Sequence, residues 1–117
     1  MTPAGRSDAA AARRALAALH CRPGAARLEA SETEAHLQAL PGWRSTGEAI
    51  VKTFRFSSYP ATIAFVNAVA AIAQREDHHP DLSVHYDHCV VTWSTHSAGG
   101  VTLNDMVCAA QVDDARR

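Results

Sequence analysis

Two pairs of short β-strand patterns, separated by one long helical pattern, most strongly constrain the fold of this chain. The first pair spans residues 43–46 and 49–56, and the second spans residues 82–86 and 89–93. Apolar and polar side chains alternate along these stretches, which is typical of strands with one buried face. Strands joined by a tight turn pair antiparallel. The sequence therefore predicts a four-stranded antiparallel sheet.

Three helices occupy the rest of residues 27–117 in this interpretation. A capping box that begins at Ser31 predicts the first helix, which Pro41-Gly42 ends. The long helix begins after Ser57-Ser58 and ends before Pro80, because the residue before proline avoids helical angles. A second capping box at Thr102 opens the last helix. The order helix-hairpin-helix-hairpin-helix predicts an α+β fold with three helices packed on one face of the sheet.

Residues 1–26 differ in composition from the rest of the chain. They hold four arginines, one acidic residue and ten alanines, whereas residues 27–117 hold seven basic and eleven acidic side chains. Alanine and arginine favour helix, which predicts a helix over residues 8–20. A poorly ordered tail and an organelle transit peptide are the alternatives. We therefore divide the chain into an N-terminal extension, residues 1–26, and a folded domain, residues 27–117.

Charge, hydropathy and cysteine content exclude several classes of protein. The 11 Lys and Arg against 12 Asp and Glu give a net charge of -1, which lacks the basic signature of a nucleic-acid binder. No apolar run approaches the roughly 20 residues that a membrane-spanning helix needs. Three cysteines without a CxxC pair indicate reduced thiols, and hence a cytoplasmic protein. We expect neither nucleic acid nor membrane as a partner.

The histidines are concentrated in the second half of the chain, where five of the seven lie between positions 78 and 96. Histidine exchanges protons near neutral pH at small energetic cost. If the second hairpin pairs as predicted, its two open ends bring His78 and His79 close to His96. This arrangement predicts an acid/base pocket. A metal site is one alternative, although no HxH, HxxxH or HExxH spacing supports it. A purely helix-capping role for Asp105 is another.

The same residues carry a resemblance to a known family. The chain resembles pterin-4a-carbinolamine dehydratase over residues 28–113, through residues 74–80, Tyr86, residues 94–96, Gly99-Gly100 and Asp105. The resemblance implies an α+β sandwich that forms homodimers or homotetramers. It also implies dehydration of 4a-hydroxytetrahydropterin to quinonoid dihydropterin, without metal or organic cofactor. That reaction recycles the tetrahydrobiopterin cofactor of aromatic amino acid hydroxylases.

The resemblance also implies roles for individual residues. His78 and His96 are the expected proton-transfer groups, and His79 is expected to hold the departing hydroxyl. Asp105 is expected to orient His96. The other residues that the resemblance places against the pterin substrate are Gln74, Ser94, Thr95, Trp43 and Pro80. A buried core position is the alternative for the tryptophan.

Two positions depart from the family pattern. Gln74 stands where the family usually has an acidic residue, and Asp81-Leu82 replaces an aromatic residue after Pro80. Glutamine can form hydrogen bonds but cannot carry the negative charge that raises the pKa of a neighbouring histidine. Glu76 is expected to point elsewhere on the helix. We therefore expect slower dehydration, with a non-catalytic binding, dimerisation or assembly protein as the alternative.

Overall fold

The computed structural model describes residues 4–116 of the chain, and the side chains of residues 8–116. Its helices and strands, in chain order, are α1 (Ala4–Ala17), α2 (Ala30–Leu37), β1 (Arg44–Ser45), β2 (Ile50–Arg55), α3 (Tyr59–Glu76), β3 (Asp81–Val84), β4 (His88–Trp93) and α4 (Leu103–Arg116), with a 3-10 turn at His96–Ala98 between the last two. The predicted α+β class with four antiparallel strands is confirmed. The three helices predicted within residues 27–117 are α2, α3 and α4. The helix expected over residues 8–20 is α1, so four helices rather than three accompany the sheet.

The four strands form one antiparallel sheet in the order β1-β2-β4-β3. The central pair places Phe54 opposite Cys89 and Ile50 opposite Trp93. At one edge, β3 pairs with β4 in a register that sets Leu82 opposite Val91. The two predicted hairpins thus lie side by side, joined through β2 and β4. The sheet leaves β3 as one edge strand and the short β1 as the other.

The second hairpin is shorter than predicted, since β3 ends at Val84 and the turn covers residues 85–87. The backbone N–H of His85 donates to the carbonyl of His88 across 2.8 Å, which closes the turn. Tyr86 was predicted to lie in the strand but belongs to the turn, where 70% of it is exposed. Its ring stacks on Tyr59 at the start of α3, with 6.0 Å between the ring centroids. Tyr86 therefore lies in the turn, against the start of α3.

The buried face of the sheet is continuous with the core between the sheet and α3 and α4. Ile50, Phe54 and Trp93 contribute large buried side chains from the central strands. Lys52 interrupts the apolar alternation of β2 without breaking the core. Its Nζ donates to a carboxylate oxygen of Asp113 across 3.0 Å, while its charge lies 4.8 Å from the centre of the Phe54 ring. The apolar stem of the lysine therefore packs in the core and its charge is paired.

Local capping determines where the helices begin and end. The backbone N–H of Ala61 donates to the Ser58 hydroxyl across 3.2 Å, which confirms Ser58 as the cap of α3. The first predicted helix begins two residues earlier than expected, with Glu29 rather than Ser31 at its cap. There the carboxylate of Glu32 accepts from the Glu29 N–H across 2.9 Å. A glutamate pair thus replaces the predicted serine–glutamate pair.

The N-terminal helix α1 packs along α4. Leu16 joins the hydrophobic core, and the buried Arg13 guanidinium donates to the carboxylate of Asp114. We call residues 18–25, which follow α1, the strap. The strap runs past the end of α3 and the beginning of α4. No helix in residues 4–116 combines the length and apolar character needed to cross a membrane.

Candidate functional site

His78 lies just after the last turn of α3. Asp77 takes a left-handed conformation with φ 52°, and its own N–H and that of His78 both donate to the Ala73 carbonyl. This is the usual way in which a helix ends by satisfying its last carbonyl groups. Pro80 then directs the chain into β3. His78 therefore follows the end of α3, at the end of that helix close to the start of α4.

The His78 imidazole forms a close pair with Asp105. Its Nε2 lies 2.6 Å from Oδ1 of Asp105, and the aspartate side chain is completely buried. The imidazole itself is 14% exposed, and it stacks on Trp93 with 5.4 Å between the ring centroids. A buried carboxylate hydrogen-bonded to a largely buried imidazole is a common arrangement in sites that transfer protons.

The second oxygen of the Asp105 carboxylate has two donors. Oδ2 accepts from the Thr95 hydroxyl and from the backbone N–H of Thr102, each across 2.8 Å. Because these two donors bond to Oδ2, Oδ1 is the oxygen that accepts the Nε2–H of His78. The other ring nitrogen of His78, Nδ1, is then a proton acceptor. Asp105 therefore caps α4 and orients an imidazole at the same time. The imidazole is that of His78, whereas the family resemblance implied His96.

The other two predicted histidines lie at the surface. His96 begins the 3-10 turn and is exposed, and His79 is exposed between His78 and Pro80. Among the side chains of residues 8–116, neither imidazole hydrogen-bonds another residue. The turn that carries His96 is closed by Thr95, whose N–H donates to the Gly100 carbonyl across 2.9 Å. The convergence of all three histidines on one cavity stays a prediction.

The remaining predicted residues occupy different environments. Thr95 contacts Asp105, and Ser94 is half-buried beside it. Gln74 is exposed on α3, and Pro80 is half-buried ahead of β3. Trp43 is buried in the core, where its indole N–H donates to Asp113 across 3.1 Å. The tryptophan thus takes the core position that was its alternative.

A cavity of about 310 Å3 opens beside His78 and Thr95. Its second wall is the strap, through residues 21–25, and the rest of the lining is Glu76, Asp77, Ser97 and Asn104. Cavities that hold small organic ligands have volumes of roughly 300–1,000 Å3. The cavity therefore suits a small ring system, and His78 is the histidine among its lining residues.

The buried carboxylate of Glu76 holds the strap, a role that was not predicted from the sequence. Oε1 accepts from the Cys21 N–H across 2.8 Å, and Oε2 accepts from His20 Nδ1 across 2.8 Å. Burial alone raises the pKa of Glu76. The hydrogen bonds from Cys21, His20, Gln111 and Arg75 outweigh it and lower that pKa to about 2. An acidic side chain in the last turn of a helix is electrostatically unfavourable. The position of Glu76 therefore indicates that donors from elsewhere in the chain stabilise its carboxylate.

Asn104, in the first turn of α4, provides a second attachment. Its Oδ1 accepts from the Arg22 N–H across 2.9 Å, and its Nδ2 donates to the Arg22 carbonyl across 2.8 Å. The side-chain amide thus pairs with one backbone unit as a neighbouring strand would. Asparagine is ordinary near a helix start, so the sequence carries no signal of this pairing.

Metal-binding geometry is absent from the part of the chain whose side chains are described. Within residues 8–116, no three His, Cys, Asp or Glu side chains are grouped so that they could hold a metal ion. The indole N–H of Trp93 is the one buried side-chain polar group in these residues that lacks a hydrogen-bond partner.

Two curated relatives are similar over most of the domain. A provisionally named pterin-4-alpha-carbinolamine dehydratase of Chromobacterium violaceum is 50% identical over 100 residues, which are 84% of this chain and 93% of the relative. A protein of the same provisional name from Xanthomonas campestris pv. campestris is 59% identical over 78 residues, which are 65% of this chain and 66% of the relative.

Two solved structures resemble the fold. A transcriptional coactivator/pterin dehydratase from Brucella melitensis matches with a TM-score of 0.74 and 34% identity, over 78% of this chain and 99% of that chain. A pterin dehydratase-like protein described as a RuBisCO assembly factor in the alpha-carboxysome matches with a TM-score of 0.56 and 28% identity, over 64% of this chain and 89% of that chain.

The family model described as pterin 4 alpha carbinolamine dehydratase matches residues 26–115. This match covers both hairpins, the His78–Asp105 pair and all the helices except α1. The chain therefore belongs to the pterin-4a-carbinolamine dehydratase family.

Proposed function

We propose that this protein dehydrates 4a-hydroxytetrahydropterin to quinonoid dihydropterin by histidine acid/base catalysis. The observation that carries the proposal is the His78–Asp105 pair, whose 2.6 Å hydrogen bond lies at a cavity of about 310 Å3. In the cell, the reaction takes place in the cytoplasm and recycles the tetrahydropterin cofactor of aromatic amino acid hydroxylases.

The reaction needs two proton transfers. The hydroxyl on the ring carbon must gain a proton to leave as water, and a ring nitrogen must lose one. With Nε2–H held by Asp105, Nδ1 of His78 accepts the proton from the ring nitrogen. The buried carboxylate then stabilises the imidazolium that forms, as carboxylates behind catalytic histidines do. A positioned base of this kind contributes typically 10²–10⁴-fold.

The proposed acid for the departing hydroxyl is His96, with His79 holding that hydroxyl. Both imidazoles are exposed and flank the chain segments that form the pair, since His79 follows His78 and His96 follows Thr95. Catalytic hydrogen bonds are often long in unliganded sites and tighten when the substrate binds. Thr95 and Ser94 then present hydroxyl or backbone groups to the polar edge of the pterin.

The test is an assay that follows the loss of 4a-hydroxytetrahydropterin with and without the pure protein. We expect the protein to accelerate the loss of the carbinolamine well beyond its spontaneous dehydration. A protein that binds the pterin but leaves the rate unchanged would contradict the proposal. Calorimetry with an unreactive reduced pterin separates that outcome from a protein that does not bind pterins.

A non-catalytic role is the second candidate, and one observation favours it. The pterin dehydratase-like relative with a TM-score of 0.56 is described as an assembly factor. Gln74, in place of the family's usual acid, weakens the case for full activity in this chain. The same assay decides between the two, since a protein with an assembly role alone would leave the carbinolamine at its spontaneous rate.

We also infer that the protein is a homodimer or a homotetramer. The outer edge of β3 has no partner strand in residues 4–116. An open edge favours pairing with a second chain. Val84 on that strand is 41% exposed, and the neighbouring Tyr86 is 70% exposed. Light scattering coupled to gel filtration measures the mass of the assembly, and a monomer would contradict the inference.

A further inference from the structure

The strap, residues 18–25, lies outside the residues that the family model matches, which begin at 26. It nevertheless supplies one wall of the cavity beside His78, through residues 21–25. Any ligand that reaches His78 in this cavity therefore lies against a segment that the shared domain does not supply. A cavity wall of this kind can distinguish between chemically similar ligands.

The strap is held by residues that adjoin the catalytic pair. Glu76, which accepts from the backbone of Cys21, comes two residues before His78. Asn104, which binds both backbone groups of Arg22, comes directly before Asp105. Gln111 adds a third attachment by donating to the Leu19 carbonyl across 3.0 Å. The position of the strap is thus fixed relative to the two residues that carry the proposed chemistry.

Arg22 is the charged residue with which the strap lines the cavity, and Glu76 and Asp77 are the acidic residues of the lining. Its backbone is held on both sides by Asn104, whereas its side chain is exposed. A guanidinium group carries five N–H donors, has no acceptor and stays protonated at all physiological pH values. A cavity wall with that group discriminates in favour of ligands that offer oxygen acceptors to it.

We propose that the strap is the specificity wall of this site, and that Arg22 selects substrates whose pterin ring carries a hydroxylated side chain. This inference rests on the proposed function, since the substrate class comes from it. Hydroxyl oxygens accept hydrogen bonds from a guanidinium, whereas a methyl substituent cannot. Loss of one such charged hydrogen bond weakens recognition by about tenfold.

The test compares two carbinolamines that differ in their side chain. One is 4a-hydroxytetrahydrobiopterin, which carries a dihydroxypropyl group, and the other is the methyl-substituted analogue. We expect Arg22→Ala to raise KM about tenfold for the first substrate and to leave KM for the second near the wild-type value. The kcat values should change little, because Arg22 does not touch the groups that transfer protons.

Two further variants separate charge from position. Arg22→Lys keeps the charge without the fork of donors, so we expect an intermediate KM for the hydroxylated substrate. Arg14→Ala is the matched control, because Arg14 is an exposed arginine of α1 that lines none of the cavity. It should behave as the wild type with both substrates. If Arg22→Ala changes KM equally for the two substrates, or for neither, the specificity wall is refuted.

The outcomes also distinguish this inference from the proposed function. If the wild-type protein turns over neither substrate, the proposed function fails, and calorimetry with the unreactive pterins biopterin and methylpterin decides the question. A loss of affinity in Arg22→Ala that is confined to biopterin supports the specificity wall. Equal affinities for the two pterins, or no binding of either, overturn it.

Discussion

Nε2 of His78 lies 2.6 Å from Oδ1 of Asp105, although 27 positions separate the two residues in the chain. The contact joins the end of α3 to the first turn of α4, next to the end of β4. Thr95 and Thr102 donate to the other carboxylate oxygen, so Asp105 has little freedom to turn. The geometry of the proposed base is therefore set by three separate segments of the chain.

Removing the charge of Asp105 tests the pair directly. We expect Asp105→Asn to lower kcat by about 10²-fold or more, because an amide stabilises the imidazolium poorly and can favour the wrong histidine tautomer. Kinetics with 4a-hydroxytetrahydropterin over a range of pH measures the effect. Far-ultraviolet circular dichroism checks that the fold survives the loss of one helix-capping group. A kcat within twofold of the wild type contradicts the assignment.

The two proposed proton-transfer histidines can be tested separately. We expect His78→Ala and His96→Ala each to lower the turnover rate at least tenfold while the protein stays folded, since each removes one positioned acid or base. His85→Ala is the matched control, because His85 is an exposed histidine of the hairpin turn. Turnover rates that match the wild type in both variants would refute the site.

A substitution at Gln74 tests whether an added negative charge raises the turnover rate. Because glutamine cannot hold the negative charge found at this position in the family, we expect Gln74→Glu to raise the turnover rate several-fold. Gln74 is exposed on α3, so the substitution should leave the melting temperature nearly unchanged. A turnover rate that stays constant, or falls, would show that the acid is not needed in this chain.

Glu76 makes the stability of the protein depend on pH. Its pKa is lowered from 4.5 to about 2 in the folded state, so the unfolded chain binds more protons between those pH values. Stability therefore rises with pH across that window. We expect Glu76→Gln to lower the free energy of unfolding by about 1–3 kcal/mol at pH 7, because glutamine offers the donors around it one acceptor oxygen in place of two and sets an NH2 group against the others.

The comparison with a control isolates this effect. The difference in the free energy of unfolding between the wild type and Glu76→Gln should shrink as the pH falls from about 4.5 to about 2. Glu48→Gln removes the same charge from an exposed turn, so its effect on urea unfolding should be within about 0.5 kcal/mol. A Glu76→Gln effect that is the same at all pH values would contradict the assigned role.

The two thiols of Cys21 and Cys108 report whether the strap is closed in solution. Their sulfur atoms lie 3.4 Å apart, one on the strap and one in α4. We expect a dipyridyl disulfide reagent to join them, with the two thiols losing their hydrogens and the reagent leaving as two thiopyridones. Intact mass after blocking residual thiols measures the bond. Cys21→Ser should abolish it, and unjoined thiols in the folded wild type would indicate an open strap.

Much of the fold follows from signals that are local in the sequence. The Ser58 cap, the helix end before Pro80 and the capping box that joins Thr102 to Asp105 each involve residues within a few positions of one another. Alternation likewise identifies β2 and β4 without knowledge of their partners. Tyr86 shows the limit of such reasoning, because its contact with Tyr59 comes from another element.

The sequence by itself determined the order of the strands and of the helices from α2 onward, and it singled out His78 and Asp105 as chemistry-bearing residues. Only the tertiary structure decided that these two are partners, and that Glu76 and Asn104 hold the strap over the cavity. The physical reason is that hydrophobic periodicity and helix caps act within a few residues. A hydrogen bond between Arg22 and Asn104, 82 positions apart, depends on two orientations that no local pattern encodes.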